Sequence, residues 1–335
     1  MITATAPGRC GLVGNPTDMY GGSVLSCSTR ERARCALNPD ADGVIITVSG
    51  QSQAIESASD LALRDGDYLN VARAVLAALE VVPGRMPPFH LTAETDIPMQ
   101  AGLAGSTAIL ACLTGCLLTH LELRLNSYQI AELIRKIEYD LLGIVCGFQD
   151  HYMTVFGGLN FMDFRDKDSA LPQEPTTPYA TVEPLKPFIS ELPLILAHTG
   201  VRHHSGTVHK SIRERWLEGE PAVIEGYLEI ARLARAAKRA LLARDWDRVA
   251  DLMNRNHAIQ RDLGGSGESN EKLIAAALAG GADGAKLAGA GGGGTVLALT
   301  HEPDRTVRAL LEAGADKILT PHPGPGLTVA VEVTV

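Results

Sequence analysis

A loop of small residues, Pro98–Ala108, lies between a predicted strand and a predicted apolar helix. Glycines let a backbone approach a ligand closely, and a helix start offers unpaired N–H groups and a positive dipole end. Ser106 and Thr107 stand where a hydroxyl either caps the helix or reaches a metal ion held by phosphate. The loop therefore predicts a polyphosphate site or, alternatively, an ordinary capped helix start. It matches neither a Walker loop nor a dinucleotide fingerprint.

Three further segments carry residues that could do chemistry. Leu287–Thr295 has five glycines in six positions, which indicates close backbone approach or, alternatively, a flexible hairpin. Ala6–Gly22 embeds Arg9 and Asp18 among glycines and apolar residues, although Asp18 could merely cap a turn. Asp150 follows an apolar, glycine-bearing run, where a carboxylate is unfavourable unless it is paired. It is therefore either a functional acid or a cap or salt-bridge partner.

Composition restricts the class of protein. The chain has 335 residues, 45% of them hydrophobic and 21% charged, which is ordinary for folded domains. A net charge of −9 argues against a general nucleic-acid or membrane-surface binder. There is no signal-peptide pattern, no apolar run long enough for a membrane span and no Cys-x-x-Cys pair. We therefore expect a reduced, cytoplasmic protein.

The elements that must position these residues are mixed. The first 50 residues are expected to form short strands, and apolar periodicity predicts helices over 106–121 and about 127–142. Strands and helices do not alternate regularly, which favours an α+β fold in two lobes. Prolines cluster after residue 166, so the lobes are predicted over 1–165 and 190–335, joined by a linker or excursion at 166–189.

The four segments, in this order, resemble the galactokinase–homoserine kinase–mevalonate kinase–phosphomevalonate kinase (GHMP) family over nearly the whole chain. The resemblance implies a two-lobed α+β kinase that uses ATP and Mg²⁺, with an N-terminal lobe like domain 2 of ribosomal protein S5. It is closest to glucuronokinase-type sugar 1-kinases. The segments that indicate this are Gly14–Asp18, Leu142–Asp150, Tyr152–Asp163, Ser211–Gly219 and Leu252–Asn256.

The resemblance also implies roles for single residues. Asp150 would be the catalytic base, or would orient the acceptor hydroxyl, and Arg9 would be the cation near this aspartate and the transferring phosphoryl group. Glu138 and Ser106 would hold Mg²⁺, which prefers oxygen ligands. The residues expected to bind the nucleotide are Pro98, Gly102, Leu103, Ala104, Gly105, Ser106 and Thr107.

Acceptor binding is expected from a second group of residues. Asp18 would accept hydrogen bonds from sugar hydroxyls. Arg202 or His204 could bind a substrate carboxylate; alternatively, their segment is a solvent-facing loop and helix start. The other residues expected to line the acceptor pocket are Asn15, Gly147, Asp150 and Gly291. Galactokinases carry an acid and a histidine where this chain has Asn15 and Pro16, which argues against galactose.

The acceptor stays open at this stage. Glucuronate or a similar sugar is the first hypothesis, and mevalonate, a heptose phosphate or another polyol is the alternative on the same fold. A non-catalytic ligand-sensing relative and a decarboxylase that phosphorylates its substrate are less favoured. The expected partners are ATP and a small polyhydroxylated acceptor, with no nucleic acid or membrane, and the chain is expected to be a monomer or homodimer.

Overall fold

The computed structural model describes residues 1–39, 42–81, 87–168, 176–189, 191–201, 211–289, 291 and 294–332. The strands are β1 Ile2–Val13, β2 Ser23–Asn38, β3 Val44–Val48, β4 Gln51–Ile55, β5 Phe89–Thr95, β6 Leu159–Asp163, β7 Thr181–Pro184, β8 Leu194–His198, β9 Gly284–Leu287, β10 Thr295–Leu299, β11 Lys317–Leu319 and β12 Thr328–Val331. The helices are α1 Asn70–Ala78, α2 Gly105–His120, α3 Ser127–Lys136, α4 Gln149–Phe156, α5 Ile212–Leu217, α6 Pro221–Leu242, α7 Trp246–Asp262, α8 Glu268–Ala279 and α9 Pro303–Glu312.

The first sheet is built on two long antiparallel strands, β1 and β2, of 12 and 16 residues. The prediction of only short strands in this region was wrong. The pairing continues through glycine and proline because its register shifts between Pro7 and Arg9 and again between Gly11 and Val13. Such bulges absorb residues that would otherwise end a strand, and they redirect the side chains beside them.

Strand β2 divides its pairing between two neighbours. Its second half pairs with β5 and its first half pairs with β6, so the sheet forks. β5 continues to β3 in parallel, and β3 continues to β4 antiparallel. β6 pairs with β7, which lies inside the segment expected to be a linker. That segment therefore contributes an edge strand to the first sheet.

A second, antiparallel sheet has the strand order β11-β8-β10-β9. Helices α8 and α9 pack together near it, while α7 contacts both β9 of this sheet and β1 of the first, and α6 packs on α7 and β2. The chain then returns to the first sheet, where β12 pairs antiparallel with β1. The last strand of the expected C-terminal lobe thus belongs to the first sheet, and the boundaries 1–165 and 190–335 stay a prediction.

Helix α2 is buried along nearly its whole length and packs on β1 and β2. A helix that is apolar all round is a core helix, which agrees with the predicted span of 106–121. The predicted helix of 127–142 ends earlier, since α3 stops at Lys136 and a π-helical turn, Ile137–Leu141, follows. Within the described ranges, no helix is both long and apolar enough to cross a membrane.

Candidate active site

The predicted polyphosphate loop leads directly into α2. Ala104 adopts the left-handed conformation, with φ of 60°, and α2 then begins at Gly105 without a side-chain cap. The hydroxyls of Ser106 and Thr107, which could have served as caps, donate instead to Glu138. The alternative of an ordinary capped helix start is therefore not what the structure shows. Since no described side chain caps α2, its first N–H groups are suited to an external acceptor.

The loop is docked on β1 by backbone contacts. Arg9 N donates to Leu103 O at 3.1 Å. A Cβ atom at Gly8 would lie only 2.7 Å from the same carbonyl oxygen, so glycine permits the close approach. The phosphate loop is therefore fixed to the strand that carries Arg9.

The glycine-rich segment after β9 supports the loop from the other side. A Cβ atom at Gly289 would lie 2.8 Å from Gly102 O, and one at Gly294 would lie 2.5 Å from Ala101 O. Thr295 Oγ1 donates to that Ala101 oxygen at 2.9 Å. Close backbone packing, rather than the flexible hairpin, explains these two glycines.

An arginine–carboxylate pair lies at the centre of the site. Arg9 donates through Nε to Asp150 Oδ1 at 2.7 Å, and its NH2 lies 2.6 Å from the same oxygen. Its NH1 donates to Gly102 O at 2.5 Å. The Arg9 side chain is 7% exposed and that of Asp150 is 30% exposed, so the acid faces open space while the cation is enclosed. One guanidinium thus links the phosphate loop to the start of α4.

Asp18 caps α4. Its Oδ2 accepts hydrogen bonds from the backbone N–H groups of Phe148 and Gln149, at 2.8 and 2.9 Å. A Cβ atom at Gly147 would lie 2.0 Å from this oxygen, which explains the glycine. Burial and the neighbouring charge of Asp150 raise the pKa of Asp18 against the lowering effect of those hydrogen bonds. The capping role left open by the sequence is real, and the carboxylate also lines the cleft.

Glu138 lies on the π-helical turn and accepts hydrogen bonds from three side chains. Oε2 accepts from Thr107 Oγ1 at 2.9 Å and lies 2.7 Å from His151 Nε2, while Oε1 accepts from Ser106 Oγ at 3.4 Å. Burial opposes ionisation of Glu138, but His151 and the two hydroxyls outweigh it and lower its pKa. Glu138 is therefore a buried carboxylate whose Oε1 accepts a long, weak hydrogen bond.

These residues share one cleft of about 600 Å³. Predicted site residues that line it are Arg9, Asp18, Gly102, Leu103, Ala104, Gly105, Ser106, Thr107, Glu138, Gly147 and Asp150. Its Glu138 and Ser106 oxygens suit Mg²⁺, and the free start of α2 beside them suits a polyphosphate. The donor set thus fits both predicted ligands.

Other predicted residues lie elsewhere. Pro98 precedes the part of the loop that lines the cleft. Gly291 does not line the cleft but packs on Gly265, whose carbonyl oxygen would be 1.7 Å from an added Cβ atom. Backbone packing therefore accounts for the glycine at this position, and the expected acceptor contact stays a prediction. Arg202 and His204 lie outside the described residues.

Asn15 is also not brought to the cleft. Its side chain is fully buried, where Nδ2 donates to Gly289 O at 2.7 Å and Oδ1 accepts from Lys286 Nζ at 2.8 Å. Both ends of the amide are therefore used to join the N-terminal segment to the glycine-rich segment. The expectation that Asn15 contacts the acceptor does not agree with this geometry.

Lys286 is fully buried, and within the described residues it donates to neutral oxygens, those of Asn15, Gly11 and Leu287. Burial lowers its pKa from 10.5 to about 7. Between these pH values the unfolded chain binds a proton that the folded chain lacks, so stability gains from rising pH.

Replacing this lysine with methionine (Lys286→Met) should remove this increase of stability with pH. The free energy of unfolding of the wild-type protein, minus that of the variant, should rise between pH 7 and 10 by at most about 1.4 kcal/mol per pH unit. Urea unfolding at several pH values measures it, with the exposed Lys272→Met as control. A difference that does not change with pH would contradict the assignment.

Sequence reasoning missed residues in and beside the cleft. His151 was given no role, although its position directly after Asp150 was an available signal; it does not line the cleft but contacts Glu138, which does. Asp67, Tyr68 and Asn70 line the opposite wall at the start of α1. Nothing in their local sequence indicates a ligand, because the fold alone brings α1 to the cleft.

Two family models match the chain. "GHMP kinases N terminal domain" matches residues 68–158, and "GHMP kinases C terminal" matches residues 237–316. The chain is 32% identical over 325 residues to "Probable glucuronokinase 2" of Arabidopsis thaliana, covering 91% of this chain and 86% of that protein. It is 28% identical to the mevalonate kinase of Pyrococcus horikoshii, covering 98% and 97%.

A solved structure has the same fold. The D-glycero-D-manno-heptose 1-phosphate kinase of Bacteroides thetaiotaomicron superimposes with a TM-score of 0.74 at 22% identity, covering 100% of each chain. The likeness at this identity concerns the fold alone, and it supports the predicted α+β architecture.

Proposed function

The chain belongs to the GHMP kinase family, and we propose that it phosphorylates a sugar hydroxyl, the anomeric hydroxyl of glucuronate or a similar sugar, with ATP as donor. The observation that carries this proposal is the Arg9–Asp150 pair, which joins the polyphosphate-binding start of α2 to the acid of α4. A donor phosphate on one side and an acceptor hydroxyl on the other would meet at this pair.

Asp150 and Arg9 have separate roles in the proposed phosphoryl transfer. Asp150 accepts a hydrogen bond, or the proton, from the acceptor hydroxyl, because its carboxylate is the partly exposed member of the pair. Arg9 stabilises negative charge that spreads over the transferring group, and its contact with Gly102 O fixes it to the phosphate loop. Positioning and charge neutralisation are the main requirements of this reaction.

Metal and nucleotide would be held by adjoining groups. Glu138 Oε1 and Ser106 Oγ, 3.4 Å apart, are the proposed ligands for Mg²⁺. The metal supplies charge neutralisation on the phosphate oxygens when it is bound. The N–H groups at the start of α2 would bind the phosphates, since the residues that carry them, Gly105, Ser106 and Thr107, line the cleft.

Asp18 is the proposed contact for the acceptor. Its Oδ2 is occupied by two backbone N–H groups, so the second carboxylate oxygen is the one proposed to accept from a sugar hydroxyl. The likeness to the Arabidopsis glucuronokinase favours a uronic acid. The likeness to the Pyrococcus mevalonate kinase makes mevalonate the second candidate, and a heptose phosphate remains a third.

A panel of acceptors tests the proposal. ADP release from MgATP should be fastest with glucuronate or another uronic acid, and ³¹P NMR should place the new phosphate on the anomeric oxygen. Galactose, mevalonate and a heptose phosphate serve as comparison acceptors. Turnover of mevalonate without turnover of any uronic acid would overturn the sugar assignment and leave the kinase assignment intact.

A further inference from the structure

Three side chains of different chemistry meet at the back of the cleft. His151 Nε2 lies 2.7 Å from Glu138 Oε2 and 4.0 Å from Cys146 Sγ. One ligand atom from each of the three residues lies within 4.8 Å of the other two. The proposed phosphoryl transfer uses Glu138 but neither the imidazole nor the sulfur. The cluster therefore contains two groups that the mechanism leaves unexplained.

We propose that Glu138, Cys146 and His151 form a Zn²⁺ site, through which Zn²⁺ inhibits the enzyme. A thiolate, an imidazole and a carboxylate are ligands typical of zinc, whereas Mg²⁺ takes oxygen ligands. Ligands bound at about 2.0–2.3 Å in a tetrahedral arrangement lie roughly 3.3–3.7 Å from one another. The sulfur–nitrogen separation must close by about half an ångström, and the nitrogen–oxygen contact must open by about as much.

The surroundings allow these adjustments. Cys146 is partly exposed and follows Ile144 and Val145, whose side chains are 44% and 55% exposed. Nothing lies within 4 Å of a Cβ atom built at Gly143, at the start of this segment. The sulfur can therefore shift towards an ion without disturbing the core.

The imidazole is also able to bind a metal. His151 is fully buried, and its Nδ1 has no hydrogen-bond partner among the described residues. Without an ion, Nε2 donates its proton to the Glu138 carboxylate. Binding of an ion would replace that proton, as metal binding to imidazole generally does, and Nδ1 would keep the other proton.

Occupation of this site would remove Glu138 from its proposed role. The carboxylate would be shared with a second dication, and the contacts from Ser106 and Thr107 that orient it would be disturbed. This inhibitory consequence rests on the proposed kinase function. Binding of the ion does not, because it requires only the three ligands.

Co²⁺ is a spectroscopic probe for the binding step. Full-length protein titrated with Co²⁺ alone should develop a thiolate-to-cobalt charge-transfer band and the intense visible bands of four-coordinate cobalt. Cys146→Ser should lose the charge-transfer band, and the fully buried Cys116→Ala should keep it. Cys146→Ala serves as a second variant, and circular dichroism checks its fold. Absence of the band in the wild-type protein, or its survival in both Cys146 variants, would overturn the proposed site.

Zn²⁺ inhibition tests the consequence separately. At fixed MgATP and buffered free Zn²⁺, the wild-type enzyme should be inhibited, and added Mg²⁺ should relieve the inhibition. Cys146→Ser should need more than about tenfold more Zn²⁺, since even the outer partners of metal ligands contribute 10–100-fold to affinity. Equal inhibition of the wild-type and variant proteins would overturn the inhibitory role. If the protein showed no kinase activity, the cobalt spectrum would still test whether the site binds a metal ion.

Discussion

Asp150→Asn should lower kcat by about 10²–10⁴-fold, the range that a positioned acid–base group contributes. Asparagine keeps the shape of the side chain but cannot accept a proton from the acceptor hydroxyl. It also weakens the pair with Arg9, whose guanidinium keeps its contact with Gly102 O. ATP binding should stay nearly intact, because the start of α2 is untouched. Steady-state kinetics and nucleotide titration measure the two quantities.

Asp140→Asn is a matched control for this substitution. Asp140 is exposed and lies on the π-helical turn near Glu138, so its variant changes local charge without touching the Arg9 pair. It should keep near-normal turnover. If Asp150→Asn also kept near-normal turnover, the assignment of Asp150 as the catalytic acid–base group would be wrong.

Arg9→Met should lower kcat by about 10³-fold, since an arginine that stabilises a transferring phosphoryl group contributes 10³–10⁵ in GTPases. Two effects combine in this variant. The positive charge is lost, and Asp150 and Gly102 O each lose the donor that joins the loop to α4. We expect the KM for ATP to change less than kcat, because the charge matters most as it spreads in the transition state.

Arg9→Lys separates the two effects. Lysine keeps the charge but not the planar fork that reaches both acceptors, so its kcat should fall between those of the wild-type enzyme and Arg9→Met. Arg34→Met is the matched control, because Arg34 forms an exposed ion pair with Asp96 away from the cleft. Equal turnover of Arg9→Met and Arg34→Met would exclude a catalytic role for Arg9.

Local sequence was sufficient where a short segment dictates its own structure. The apolar run of α2 and the small residues before it form close to their predicted positions. The GHMP motifs also identified Arg9, Ser106, Glu138 and Asp150, which share one cleft. Order along the chain could not show that Arg9 bonds directly to Asp150, 141 residues away.

The sequence was insufficient where a residue type suits more than one environment. Asn15 and Gly291 stand in the expected motifs, yet Asn15 bonds to Lys286 and Gly291 packs on Gly265. A polar amide or a glycine is equally suited to a ligand contact and to close internal packing, and only the neighbouring segments decide. The same reason explains why His151 was missed, since its chemical role depends on Glu138 and Cys146, which the fold brings next to it.

The sequence by itself thus determined the fold class and the chemical types in the candidate site: a helix start suited to phosphates, oxygen atoms suited to a metal, a cation and an acid. The tertiary structure alone decided the pairing of Arg9 with Asp150, the enclosure of Asn15 and the cluster around His151. The physical reason is that helix starts and apolar periodicity follow from neighbouring residues. Which polar groups pair depends instead on contacts between elements far apart in the chain.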